Sequence, residues 1–298
     1  MNDMKRSALV FGATGNVGGA AARELLRRGW HVRAVTRSPQ GEMARSLAAQ
    51  GAEIVQADMD DRASLEAAFA GMERVFSVQN WMTGGVDGEV RQGKLVADVA
   101  QAASVKHLVY GSAGIGVAGT GIPHFDSKVI VEAYMRDMGL PVTVVRPGPF
   151  MELMTDKAFY PALAAWGAMP KVVGWELPVP WVAVQDIGVA IANIFERPDE
   201  WIGRTINFYG DVQSLADCRS AFAQGTGKKP RGIPLPLALF QKMAGPEMVQ
   251  MWRWMVDWSG NGGPAQLDAD LAASQALHPD TLTVEQWVLA RRNGHGAP

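Results

Sequence analysis

The sequence predicts an α/β protein whose core is a doubly wound parallel sheet, followed by a smaller C-terminal region. First, the opening half of the chain alternates short apolar runs with segments of helical periodicity. Second, the chain contains 33 glycines among 298 residues, which suits many tight strand-to-helix turns. Third, 48% of the residues are hydrophobic and 19% are charged. A disordered protein is therefore excluded, and a large core is expected.

Six short apolar runs predict six β-strands in the first half. They span residues 7–11, 31–35, 53–55, 74–78, 106–110 and 142–146. Helical segments separate these strands, which implies right-handed crossovers and a parallel sheet with helices on both faces. The expected strand order is 3-2-1-4-5-6. The predicted helices span residues 17–28, 42–50, 62–69, 87–103 and 126–138.

Beyond residue 150 the alternation stops, and tryptophan, methionine and proline become frequent. Further strands are expected at 171–179 and 205–209, and further helices at 186–195 and 237–244. We therefore predict a sheet domain at 1–150. Residues 151–298 are expected to pack on the carboxyl edge of that sheet, without folding alone, and to bind a substrate or a partner.

The composition excludes several classes of protein. The net charge is −2, so no basic surplus favours binding to nucleic acid or to a membrane. Cys218 is the sole cysteine and the five histidines are scattered, which predicts neither disulfides nor a metal site. We see no targeting segment and expect a cytoplasmic protein.

A glycine-rich motif, Gly12-x-x-Gly15-x-x-Gly18, follows the first strand and opens the first helix. Such a motif predicts a dinucleotide site of the Rossmann type. The first glycine permits the turn, the second lets the backbone approach the pyrophosphate, and the third lets the helix pack on the strand. Backbone N–H groups at the helix N-terminus then bind the pyrophosphate. The predicted contacts also include Thr14, Asn16 and Val17; the alternative is a glycine-rich turn without a ligand.

The end of the second strand favours NADP(H) over NAD(H). An NAD enzyme usually places a carboxylate there for the ribose 2′-hydroxyl, but this chain has Thr36-Arg37-Ser38 and no acid before Glu42. A carboxylate would repel a 2′-phosphate, whereas Arg37 can bind one with two hydrogen bonds. The alternative is a solvated arginine at a strand end.

Three residues at later strand ends are further cofactor candidates. Asp58, after the third strand, is expected to accept a hydrogen bond from the adenine amino group, or else to act as an N-cap or turn residue. Gln79 and Asn80 end the fourth strand, where the inner ribose is expected, and Asn80 can equally form a turn.

Ser112, His124 and Lys128 are the candidate catalytic residues. Short-chain dehydrogenases normally place Ser, Tyr and Lys beside the nicotinamide; here His124 stands in the place of the tyrosine, and Lys128 keeps its spacing. If the segment is helical, residues four apart lie on one face. Asp126 can instead cap the helix and leave His124 outside it.

With these motifs the chain resembles the NmrA-like family, a group of atypical short-chain dehydrogenase/reductases. The resemblance rests on Gly-Ala-Thr-Gly-Asn-Val-Gly-Gly (12–19), Val-Thr-Arg (35–37), Arg-Gln-Gly-Lys-Leu-Val-Ala-Asp (91–98), His-Phe-Asp-Ser-Lys (124–128), Val-Arg-Pro (145–147) and Trp-Val-Ala-Val-Gln-Asp-Ile-Gly (181–188). It implies an NADP(H)-binding Rossmann core, with Lys128 near the nicotinamide and the backbone from Pro147 to Phe150 along its carboxamide.

The resemblance leaves two functions open. The first is an NADPH-dependent reductase of a small aromatic carbonyl, quinone or dye-like substrate. The second is a non-catalytic NADP(H) redox sensor that regulates a protein partner; either is expected as a monomer or a homodimer. In the reductase, His124 either donates a proton or is a plain loop residue.

Large apolar side chains are expected to form the substrate wall, which suits a flat aromatic molecule. They are Trp81, Phe150, Met151, Met154, Trp175 and Trp181. The alternative is that they only cover the sheet. The segment 248–258 carries two apolar stripes at helical spacing, Met248/Trp252/Met255 and Met251/Trp254/Trp258. Such a helix is expected to be buried on both faces, one of which closes the pocket or meets a partner.

Overall fold

A computed structural model describes residues 6–155, 164–232, 236–261 and 263–292. Its strands are β1 (Ser7–Val10), β2 (His31–Thr36), β3 (Glu53–Gln56), β4 (Arg74–Ser77), β5 (His107–Gly111), β6 (Val142–Pro147), β7 (Val179–Trp181), β8 (Thr205–Phe208) and β9 (Asp211–Gln213). Among these residues, seven strands form one sheet in the order β3-β2-β1-β4-β5-β6-β8, and β7 pairs antiparallel with β9. The predicted doubly wound sheet and the order 3-2-1-4-5-6 are confirmed.

Helices connect the strands of the sheet. The first five are α1 (Asn16–Arg27), α2 (Glu42–Ala49), α3 (Arg62–Phe69), α4 (Trp81–Ala102) and α5 (Pro123–Asp137). They are followed by α6 (Pro170–Val173), α7 (Val184–Glu196), α8 (Pro198–Trp201), α9 (Leu215–Thr226), α10 (Leu237–Ala244), α11 (Pro246–Gly260), α12 (Gly263–Leu277) and α13 (Val284–Arg292). No helix in these described ranges is long and apolar enough to cross a membrane.

Strand β1 is an interior strand of the sheet, paired on both edges. Ala8 pairs with Val32 of β2 on one side and with Arg74 of β4 on the other, both in parallel. All four residues of β1 are buried, as expected for a strand covered on both faces. The carboxyl ends of β1, β4 and β5 therefore come side by side.

The chain divides into two compact units. The first contains the residues up to Pro147 together with Ile187–Ile206, and the second contains Gly148–Asp186 and the residues from Asn207 onward. Each unit has its own apolar core. The predicted boundary at residue 150 and the predicted dependence of the second region stay predictions.

The predicted strand at 171–179 is wrong over most of its length. Pro170 starts a single helical turn, α6, and Gly174 ends it with a φ of +76°. A proline at the first position favours a helix start, and a glycine with positive φ favours its end. Only the residues from Val179 onward are extended, as β7.

The predicted double burial of the segment 248–258 is seen only in part, since Met255 of the first stripe and all three residues of the second are half-buried. On α11, Met248 and Trp252 are buried in the core of the second unit, with Val249 beside them. Trp254 and Trp258, on the other stripe, are half-buried and stack on each other with ring centroids 6.3 Å apart.

A buried histidine joins β5 to β6. The His107 Nε2–H group donates to Thr143 Oγ1 at 2.8 Å, because that hydroxyl itself donates to the Trp201 carbonyl at 2.7 Å. The ring also contacts Phe195 edge-on. Burial, with a smaller contribution from Arg74, lowers the pKa of His107 to about 4. The folded protein therefore keeps this side chain neutral at pH values where the unfolded chain protonates it.

We expect this histidine to make the folded state less stable in mild acid. Between pH 7 and pH 5 the unfolded chain binds a proton that the folded chain excludes, so the free energy of unfolding falls by about 2 kcal/mol. Chemical denaturation of the wild type and of His107→Gln at both pH values isolates this contribution, since other groups cancel in the comparison. If the free energy of unfolding depends on pH equally in the two proteins, the lowered pKa of His107 is not the source of the effect.

Candidate functional site

A glycine turn joins β1 to α1, and its backbone is closely packed. Gly12 has a φ of +64°, and a Cβ there would lie 2.9 Å from Val78 Cγ1. A Cβ on Gly18 would collide with the carbonyl groups of Phe11 and Gly12. Both positions therefore require glycine, and α1 lies directly against the end of β1.

The start of α1 is open to solvent. Gly15 is its N-cap residue and provides no side-chain hydrogen bond to the first turn. Thr14, Gly15 and Asn16 are exposed, Val17 is half-buried and Gly18 is buried. The first amide N–H groups of a helix lack intrahelical partners, and the dipole makes this end positive. This end of α1 thus fits an anionic group such as a pyrophosphate.

The end of β2 presents an arginine to solvent. Thr36 is buried, and its hydroxyl accepts a hydrogen bond from the Ser38 amide at 3.1 Å. Arg37 and Ser38 are exposed. Within the described ranges the Arg37 guanidinium forms no hydrogen bond or ion pair, although its charge helps to lower the pKa of Asp60. That carboxylate is already held by Gln92 at 2.7 Å and by Arg91 at 2.9 Å. Arg37 is therefore available to bind an anion.

Asp58 and Asn80 both have structural partners. The Asp58 carboxylate accepts from the Asp60 amide at 3.0 Å and forms a turn, while Asp61 caps α3. The Asn80 side chain accepts from the Met82 amide at 3.0 Å and caps α4. The turn alternative is therefore present at each position, and the predicted adenine and ribose contacts stay predictions.

Helix α5 carries both His124 and Lys128. It begins at Pro123 rather than at Asp126, because proline suits the first helical position. The Asp126 carboxylate instead accepts from the Thr120 amide and hydroxyl at 3.0 and 2.9 Å, and from the Gly121 amide at 3.1 Å. The predicted start at residue 126 is wrong, and the two candidate side chains are one helical turn apart.

His124 lies in an aromatic cluster. The residue is 9% exposed, and its ring stacks on Trp81 with the ring planes 15° apart and the centroids at 5.1 Å. Phe125 contacts it edge-on at 4.9 Å. Trp81, the first residue of α4, is half-buried, so the aromatic cluster reaches the surface of the first unit.

Lys128 lies in a buried network that joins two helices to two strand ends. Its ammonium is 2.9 Å from Glu89 Oε1 and 2.8 Å from the Gln79 carbonyl oxygen; a third acceptor, the Gly111 carbonyl, is at 3.4 Å. Lys128 is 5% exposed and Glu89 is fully buried. Burial lowers the pKa of Lys128, and the charge of Glu89 opposes that effect. The amine is thus held at the carboxyl ends of β4 and β5.

Ser112 belongs to a second buried pair. Its hydroxyl donates to Glu132 Oε1 at 2.5 Å, and the Arg146 guanidinium binds both oxygens of the same carboxylate. Sequence reasoning grouped Ser112 with His124 and Lys128, whereas the structure ties its hydroxyl to this other ion pair.

Glu89 and Glu132 were missed in the sequence because charged residues on helices usually face solvent. The available signal was periodicity. Glu89 stands seven residues before Val96 and eleven before Ala100, both of which are buried on the same face of α4.

The predicted substrate residues differ in exposure. Met151, Met154 and Trp181 are at most 3% exposed and belong to the core of the second unit. Phe150 and Trp175 are half-buried, as is Trp81 in the first unit, and Pro147 ends β6. A core packing role is thus present for the first three, and the predicted substrate contacts stay predictions. Within the described ranges no cluster of three or more His, Cys, Asp or Glu side chains could hold a metal ion.

Comparison with known proteins gives consistent matches. The model of the NmrA-like family matches residues 4–288. The NmrA-like family domain-containing oxidoreductase himF of Aspergillus japonicus is 31% identical over 297 residues, covering 90% of each chain.

The crystal structure of NmrA, a negative transcriptional regulator, in complex with NADP has a TM-score of 0.75 at 20% identity and covers 99% of this chain and 98% of its own. The Citrobacter sp. triphenylmethane reductase complexed with NADP(H) has a TM-score of 0.73 at 20% identity, covering 96% and 99%.

The glycine turn yields a paired prediction. We expect Gly15→Val to abolish dinucleotide binding while the protein still folds, because Gly15 has a φ of −98°, which any residue can adopt, and its added Cβ would lie 3.3 Å from the Gly12 carbonyl oxygen, a tight contact but a much smaller clash than at Gly18. A branched side chain there blocks the approach of the pyrophosphate. The matched variant Gly18→Ala should instead lower the melting temperature, because its Cβ meets backbone. Fluorescence titration and circular dichroism melts measure both; retained binding in Gly15→Val would place the site elsewhere.

Proposed function

Because the chain belongs to the NmrA-like family, we propose that it is an NADPH-dependent reductase of a small aromatic carbonyl, quinone or dye-like compound. The observation that carries this proposal is the uncapped, solvent-exposed start of α1 behind a turn that only glycine can form. The relative from Aspergillus japonicus, which aligns over most of both chains, is named an oxidoreductase.

The first unit fits a nicotinamide dinucleotide. In this proposal Gly12, Gly15 and Gly18 leave room for the pyrophosphate, which the amides at the start of α1 bind. Arg37, exposed and without an ion pair among the described residues, binds the 2′-phosphate, beside Thr36 and Ser38. The reduced cofactor supplies a hydride, and the protein has to hold and orient it.

The carboxyl ends of β4 and β5 are the proposed nicotinamide side. Lys128 lies there, with its ammonium bound to backbone oxygens of both strands. Gln79 is two residues beyond β4, and its preceding residue, Val78, packs against Gly12. Lys128 is therefore connected to the phosphate turn through two adjacent residues of one strand end.

His124 is the proposed proton donor for substrates that become an alcohol or a phenol. It is four residues before Lys128 on α5 and stacks on Trp81. A flat aromatic substrate suits a surface that already ends in an indole ring. The Citrobacter reductase is described as acting on triphenylmethane dyes, which supports including a cationic dye among the candidates.

A direct test is to mix the protein with NADPH and a panel of quinones, aromatic aldehydes and cationic dyes, and to follow the loss of cofactor absorbance. Turnover of one class supports the reductase and names its substrate chemistry. Tight binding of NADP(H) without turnover across the panel favours the redox sensor instead, a function consistent with the NADP-bound regulator that shares this fold.

Cofactor choice gives the next prediction. We expect Arg37→Ala to weaken NADPH binding by about 10- to 100-fold, because one charge-assisted phosphate contact is lost. NADH binding should change little, since it has no 2′-phosphate. Arg27→Ala removes the same charge from an exposed position on α1 and is the matched control. Equal weakening of NADPH and NADH by Arg37→Ala would contradict the assignment.

The role of His124 can be separated from its packing. We expect His124→Phe to keep a ring against Trp81 and leave NADPH affinity nearly unchanged, yet to lower kcat for a quinone or aldehyde by roughly 10²- to 10⁴-fold. A cationic dye takes up hydride without a proton in the same step, so it should be slowed much less. Stopped-flow kinetics on both substrate classes measure the contrast. Equal slowing of both would mean that His124 only shapes the site.

A further inference from the structure

A fully buried carboxylate from α4 lies against the candidate cofactor site and has no part in the mechanism above. Glu89 Oε1 is 2.9 Å from Lys128 Nζ, and Glu89 Oε2 accepts a hydrogen bond from Ser127 at 2.5 Å. Burying a carboxylate costs several kcal/mol, and an ion pair repays this only when its geometry is good. Stability alone therefore does not explain a buried Glu89–Lys128 ion pair at the ends of β4 and β5.

We propose that Glu89 is a positioning residue for the cofactor site: its carboxylate keeps the Lys128 ammonium charged and held against the carbonyl oxygens of Gln79 and Gly111. This inference rests on the proposed function. Lys128 then presents a fixed positive charge at the nicotinamide side, where it attracts the anionic dinucleotide.

The other titratable groups around Lys128 do not provide a negative charge in contact with its ammonium. Glu132, one turn further along α5, is bound by Arg146 of β6 on both oxygens. On β5, Tyr110 places its ring 5.5 Å from Lys128 Nζ, and burial raises the pKa of its hydroxyl, so it stays neutral. Burial lowers the pKa of Lys128, and the negative charge of Glu89 is the larger of the charge effects that oppose it. Of these neighbours, Glu89 is the unshared negative charge in contact with the ammonium.

The test compares NADPH affinity in Glu89→Gln and in the wild type, by fluorescence titration between pH 6 and pH 9. Without the carboxylate, the buried ammonium loses its proton within this range, as buried lysines do. We expect the ratio of the two dissociation constants to grow by about tenfold from pH 6 to pH 9, as the local charge is lost. Ser127→Ala removes one hydrogen bond but neither charge, and should keep the wild-type pH profile.

The outcomes separate a positioning role from a structural one. A weakening that is uniform across the pH range, or no weakening, overturns the proposal. If Glu89→Gln does not fold, the double variant Glu89→Gln/Lys128→Met, which leaves no unpaired charge, replaces it. This variant is compared with Lys128→Met alone. Because Glu89 acts through Lys128, the two variants should bind NADPH equally weakly, and a further loss of affinity in the double variant would overturn the proposal. If the wild type itself binds no NADPH, the proposed function fails, and this result is distinct from any effect of Glu89.

Discussion

The close contact between the start of α1 and the end of β1 is the constraint on which the first unit depends. No side chain fits at Gly18, where the helix lies on the carbonyl groups of Phe11 and Gly12. This contact sets the direction of α1 and leaves its first amides exposed. Val78, the residue after β4, packs against the other side of the turn at Gly12. The position of the turn is therefore tied to the end of β4 and to Gln79, which follows Val78. One backbone contact thereby aligns the exposed start of α1 with the ends of β1 and β4.

Two buried ion pairs add a second level of organisation around β5. Glu89 pairs with Lys128, and Glu132 pairs with Arg146. Burial, together with the charges of these two glutamates, raises the pKa of the Tyr110 hydroxyl. The Tyr110 hydroxyl has no hydrogen-bond partner in the described part of the chain. Replacing buried ion pairs with well-packed apolar side chains of similar volume is often neutral or stabilising. These charges connect α5 to α4, to the ends of β4 and β5 and to β6.

Much of the fold was predictable because its signals are local. Apolar runs, helical periodicity and glycine at turns predicted the six strands, their order and the glycine turn between β1 and α1. For the candidate site, the motifs located the glycine turn at Gly12, the exposed Arg37 and the buried Lys128, and their contacts with a cofactor stay predictions. Pairing partners were not predictable: Glu89 and Ser127 meet across 38 positions of sequence, and no spacing rule connects them. The start of α5 was misplaced because Asp126 has the residue type of an N-cap, while its oxygens bind the preceding loop.

The three hydrogen bonds to the Asp126 carboxylate have an entropic consequence. The loop between Ser112 and Pro123 contains four glycines with positive φ: Gly114, Gly116, Gly119 and Gly121. Ordering each residue of such a loop costs about 1–2 kcal/mol of backbone entropy, and glycine loses the most. A single carboxylate on the first turn of α5 holds the C-terminal end of this loop. The conformational entropy of the loop is thus coupled to the position of α5, which carries His124 and Lys128. Breaking the hydrogen bonds of Asp126 would make both the loop and the start of the helix more mobile.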